Sequence, residues 1–151
     1  MTTPGDEALA DWALLQSVMT RLTAAETMTA TLQALLLRAP SPDEAEVCLW
    51  TIDSDAHGAL GWLSNVGSLP AAGQPARSRP GERHNLADFP SARTYLATPG
   101  IPLLVHSIAT DPDLDPGVRA TWQAQGVQAT IVVALALRGR IVGMLTVYWP
   151  R

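Results

Sequence analysis

One thiol, three imidazoles and a cluster of guanidinium groups are what this 151-residue chain offers for chemistry. Cys48 is the single cysteine, so it has no internal disulfide partner, which argues strongly against a redox cycle that needs a second thiol to resolve the oxidised first one. It falls inside the apolar run AEVCLWTID, where a small buried thiol is the expected role. His57, His84 and His106 are too widely separated to show a metal-ligand spacing. His57 sits in a polar turn and should be solvated. His106 falls in IPLLVHSIA, where it could face a pocket, ligate a haem iron, or be held as an ordinary hydrogen-bonded sheet residue. Arg77, Arg79, Arg83 and Arg93 lie within 17 residues, balanced by Glu82 and Asp88. Over a pocket such groups bind carboxylate or phosphate in bidentate fashion, and in the open they are a solvated loop. Trp50, Trp62 and Trp122 could line a site for a flat ligand or fill a core that has one Phe. DPDLDPG resembles the start of a calcium loop, but its glycine is one place late and Trp122 stands where glutamate is required. Helix capping accounts for it. No catalytic set of nucleophile, base and orienter and no metal set emerges.

The elements that must position these groups are legible from periodicity and punctuation. Residues 6–38 have no proline or glycine and are rich in good helix formers. Leu9, Trp12, Leu15, Met19 and Leu22 recur at spacings of three and four, forming one apolar stripe that needs a partner surface. Thr23 and Glu26 have capping-box spacing, so a second helix is expected from near Ala24 to about Arg38, before Pro40 and Pro42 break it. Residues 45–53 and 58–66 read as a β-hairpin, and 67–87 as a long loop. A short helix capped by Asp88 or Phe89 should contain Pro90 to Leu96 and end at Pro99 and Gly100. A strand over 101–109 follows. Asp115 then caps a helix with Pro116 in its first position and Gly126 beyond its end, burying Val118 and Trp122. Residues 127–137 and 140–149 are two long strands joined at Arg138 and Gly139. They are apolar at successive positions, so the sheet must be covered on both faces. Helices from the N-terminal region can cover one face. The crossing from Gly67 to Gly126 is left for the other, and a pocket is expected beneath it.

Composition bounds the rest. With 47% hydrophobic and 16% charged residues, the chain is a globular domain with its own core. The longest uninterrupted apolar run, Ile131 to Leu137, is far short of a membrane span, and the N-terminus lacks the basic and apolar regions of a secretory signal. A cytoplasmic protein without a membrane partner is expected. Net charge is -4 and every basic residue is arginine, which does not favour a nucleic-acid partner.

The order of elements, and the stretches VHSIATDPDLDP, Gly126 in QGVQATIVVAL, and IVGMLTVYW, resemble the GAF domain family over roughly residues 27–149. Two positions depart from its habit: Ala129 stands where Ser is frequent, and Ala134 where the Pro of Pro-Leu is usual. The resemblance implies an α+β, GAF-like fold related to profilin and PAS domains. In it a central antiparallel sheet of five or six strands carries helices on one face and crossing loops with short helices on the other. Cyclic-nucleotide-binding members need a lysine that this chain lacks. Bilin-binding members attach the chromophore through a cysteine, and free methionine sulfoxide reductases require a second one.

The resemblance further implies a sensory or regulatory module, not an enzyme and with no cofactor, that binds a small molecule and transmits through helix rearrangement. Residues 1–38 would be its dimerising and signalling helices, and 39–151 its sheet domain. The expected ligand is anionic or flat and aromatic, held near Arg93, Tyr95, His106 and Trp122. Expected partners are a second copy, through the N-terminal helix, and an output domain or signalling protein. A structural dimerisation module without ligand is the alternative, and a redox enzyme resembling methionine sulfoxide reductase the third reading. In many GAF proteins a helix leads on from the last strand to an output domain. Ending at Arg151, this chain suits either a free-standing sensor or the N-terminal piece of a longer one.

Overall fold

The computed structural model describes residues 27–36, 39, 41–55, 57, 59–88, 92, 95–98 and 100–150. Its backbone is an antiparallel sheet of six strands: β1 (Glu46–Ser54), β2 (Leu60–Leu69), β3 (Arg83–Asn85), β4 (Leu103–Val105), β5 (Val127–Leu137) and β6 (Arg140–Pro150). They are ordered β3-β2-β1-β6-β5-β4. The last two strands form the expected hairpin, and Arg138 and Gly139 both take positive φ, 51° and 78°, as a two-residue turn matched to strand twist demands. The sixth strand, β3, comes from within the long segment after β2. That segment starts later than expected, because Ser68 and Leu69 remain paired to Cys48 and Val47. The strand expected over 101–109 contracts to Leu103–Val105. Beyond it the chain turns, and Ile108 N–H donates to the Gln128 carbonyl at 2.7 Å.

Alternation along β1 divides the molecule. Val47 belongs to one core with Leu32, Leu36, Ala45 and Val147. Cys48, Trp50 and Ile52 belong to the other, with Leu96, Val105, Ile108, Leu114, Val118 and Trp122. The first core lies under helix α1 (Met28–Leu35). This helix begins later than the sequence suggests: Thr27 is its N-cap, extended at φ -129° and ψ 155°, with its hydroxyl accepting from Ala30 N–H at 3.1 Å. Thr23, the expected cap, lies outside the described residues, as does the stripe from Leu9 to Leu22. Gly67 lets α1 approach closely, since a Cβ there would stand 2.3 Å from Met28 Cγ. The second core lies under the crossing and helix α2 (Pro116–Ala124), whose cap is the expected one: Asp115 accepts from Gly117 and Val118 N–H, and Gly126 stops the helix at φ 71°. The two faces are thus covered as the sequence requires. No helix among the described residues is long and apolar enough to cross a membrane.

Candidate functional site

Cross-strand register builds the floor of a cavity. Cys48 stands opposite Thr146, and Trp50 opposite Met144, on β1 and β6. Thr146 in turn faces Val132 on β5, so these side chains share one face of the sheet. Over them lie Arg77 and Ser78 from the loop after β2, His84 from β3, the helical residue Tyr95, and Thr121, Trp122 and Gln125 at the end of α2. The cavity has a volume of about 390 Å³ and is partly open to solvent. Its lining is mainly apolar and aromatic, with a few placed polar groups, and the volume lies in the small-molecule range of about 300–1,000 Å³.

Aromatic side chains form its walls. Tyr95 and Trp122 stack with ring centroids 5.1 Å apart and planes within 12°. Trp50 lies across the cavity floor, its indole N–H donating to Thr146 Oγ1 at 3.1 Å, with the His84 ring tilted against it at 5.8 Å. Tyr148, opposite Glu46 on β6, also lines the space, and burial pushes its phenol up to about 12.

At one edge of the cavity Arg77 pairs with a buried carboxylate. Glu46, 2% exposed, accepts the Arg77 backbone N–H at 2.7 Å on one oxygen, and its other oxygen is 3.1 Å from Arg77 Nε. The Arg77 guanidinium also donates to the Gln125 carbonyl, so one side chain ties the loop to β1 and to the end of α2. Desolvation raises the Glu46 carboxyl above its usual value, and Arg77, through its N–H bond and its charge, works against that rise. Beside it, Cys48 Sγ is 3.9 Å from Glu46 Oε1 and 3.4 Å from Ser68 Oγ. Burial pushes this thiol up to about 11, so it is a poor nucleophile. Among the described residues no group of three or more His, Cys, Asp or Glu side chains is placed to hold a metal ion.

Of the residues expected to bind ligand, Tyr95 and Trp122 are brought together, whereas His106 is not. It lies just beyond β4, exposed and outside the cavity lining, because the strand ends at Val105, whose side chain takes the buried position. The expectation for His106 is corrected accordingly. Arg93 lies outside the described residues. From the arginine cluster Arg77 reaches the cavity, while Arg83 lies over the exposed Trp62 ring at 5.0 Å. Trp50 lines the site as one of the indoles the sequence offers for a flat ligand. Thr146 and Tyr148 were legible only as members of an apolar strand, and Glu46 carried no signal at all: its role depends on a loop residue 31 positions away.

No protein-family model matches the chain, and no curated protein matches it in sequence. Solved structures do. It is similar to the chromophore-binding domain of an unusual bacteriophytochrome from R. palustris at 13% identity and TM-score 0.64, over 95% of this chain and 54% of that one. It is similar to the corresponding domain of Stigmatella aurantiaca bacteriophytochrome in the Pr state at 14% identity and TM-score 0.67, over 94% of this chain and 52% of that one. A phycocyanobilin-bound GAF domain from a cyanobacterial phytochrome matches at 17% identity and TM-score 0.64, over 92% of this chain and 80% of that domain. The chain spans about half the length of the two bacteriophytochrome fragments.

Proposed function

We propose that this chain, which has the GAF fold, is a sensory or regulatory module that binds a small molecule in the cavity between its sheet and the crossing and performs no chemistry on it. The observation that carries the reading is the cavity of about 390 Å³, walled by Trp50, Tyr95 and Trp122 and edged by polar groups, on the sheet face that α1 leaves free. A structural domain with a filled core would have no use for it. The similar structures are chromophore-binding domains, which supports a ligand-binding use of this face. A covalently held bilin is a poor match for this chain. Its one thiol is buried with a strongly raised pKa. Transmission would use a ligand's preference between two arrangements of the crossing, relayed to the N-terminal helices of a dimer and on to an output domain or signalling protein. Cytoplasmic location accords with this reading.

Native mass spectrometry of freshly purified protein should reveal a retained metabolite. Compounds that raise Tm in a thermal-shift screen should lose most of that effect in Trp122→Ala, each variant being compared with its own unliganded Tm. Hits that keep their full effect in Trp122→Ala would overturn the site, and a purified protein that retains and responds to nothing would leave the structural reading in its place.

A further inference from the structure

We infer that the cavity selects a flat, uncharged aromatic molecule with a hydrogen-bonding group on one edge, and discriminates against the anion of the same shape; this rests on the ligand-binding reading above. Arg77 is the described arginine that lines the cavity, and its charge is already spent. Its Nε is paired with Glu46 at 3.1 Å, and its guanidinium donates to the Gln125 carbonyl. The carboxylate, side chain 3% exposed, has the Arg77 backbone N–H on its other oxygen. A bound anion would have to take Arg77 away from a buried carboxylate, leaving that charge uncompensated, or accept the repulsion of a second negative charge beside it. An uncharged ligand meets neither cost.

Shape points the same way. A dry apolar cavity of about 150 Å³ already holds benzene, so about 390 Å³ has room for fused rings. The stacked Tyr95–Trp122 pair and Trp50 line the space such rings would occupy. The polar edge would meet the Thr146 and Tyr148 hydroxyls on the floor, the first of which accepts from the Trp50 indole N–H.

The test uses the whole chain and two probes that share one ring system, neutral naphthol and anionic naphthoate, titrated by calorimetry at neutral pH. Naphthol should bind at least about tenfold more tightly than naphthoate. In Glu46→Gln, which leaves Arg77 without its counter-charge, that ratio should fall several-fold toward the anion. Should this variant not fold, the wild-type ratio decides alone. Naphthoate binding as tightly as naphthol to the wild type, or depending on Arg93 when tested in Arg93→Ala, overturns the inference while leaving the cavity a ligand site. A charged metabolite found on the purified protein does the same. Binding of neither probe overturns the inference, and the ligand reading itself stands or falls on the mass spectrum and the Trp122→Ala screen.

Discussion

Glu46 shows how one side chain can tie a site together at a cost in stability. Its carboxyl is raised above the usual 4.5 chiefly by desolvation, so the folded state holds its proton more firmly than the unfolded chain does. The contribution of this group is therefore most favourable below the ordinary carboxylate range and is lost as pH rises through the raised value. Glu46→Gln, which cannot ionise, should gain stability relative to the wild type as pH is taken from about 4 to about 8, read by urea unfolding at each pH. A difference that moves toward the wild type instead would mean that the Arg77 pair outweighs burial. Cys48 gives a second check at this scale. With its thiol at about 11 and its side chain 1% exposed, it should react with a disulfide reagent far more slowly in the native protein than in denaturant, and fast native labelling would show that the cavity admits the reagent to its floor.

At the scale of elements, the central pairing of β1 with β6 depends on Gly143. A Cβ at that position would stand 2.5 Å from the Trp50 carbonyl oxygen, a backbone atom that cannot swing aside. Gly143 is also paired with Thr51, beside the irregularity between Leu135 and Ala136 on β5. Gly143→Ala should therefore cost about 2 kcal/mol and lower Tm by about 5 °C, without loss of the fold. An unchanged Tm would show that the strands have room to separate. The same contact explains physically why a glycine stands within IVGML: any side chain there would meet the backbone of the neighbouring strand.

For the whole molecule, coverage of the sheet is the governing constraint. α1, with the chain around it, covers one face and the crossing the other, so the stripe of Leu9, Trp12, Leu15, Met19 and Leu22 needs another surface. We propose that a second copy supplies it, through isologous packing of the segment that carries this stripe. Sedimentation should give a dimer at micromolar concentration, and Leu15→Glu should release monomers that remain folded by circular dichroism. A wild-type monomer at high micromolar concentration would overturn this.

What the sequence by itself determined is what local physics encodes. Continuous apolar runs over β5 and β6 announced a sheet covered on both sides, Asp115-Pro116 and Gly126 bounded α2, and Arg138-Gly139 set the hairpin. Each is decided within a few residues by φ preference, capping or alternation. Only the tertiary structure decided which parity of each strand faces the cavity, that the strand before His106 stops at Val105, and that Arg77 rather than another arginine of its cluster meets Glu46. These outcomes depend on register between β1 and β6, about a hundred residues apart, and on where a proline-rich loop crosses the sheet. No short-range pattern records either, because a one-residue slip in register would exchange the two faces of a strand while leaving its sequence just as apolar.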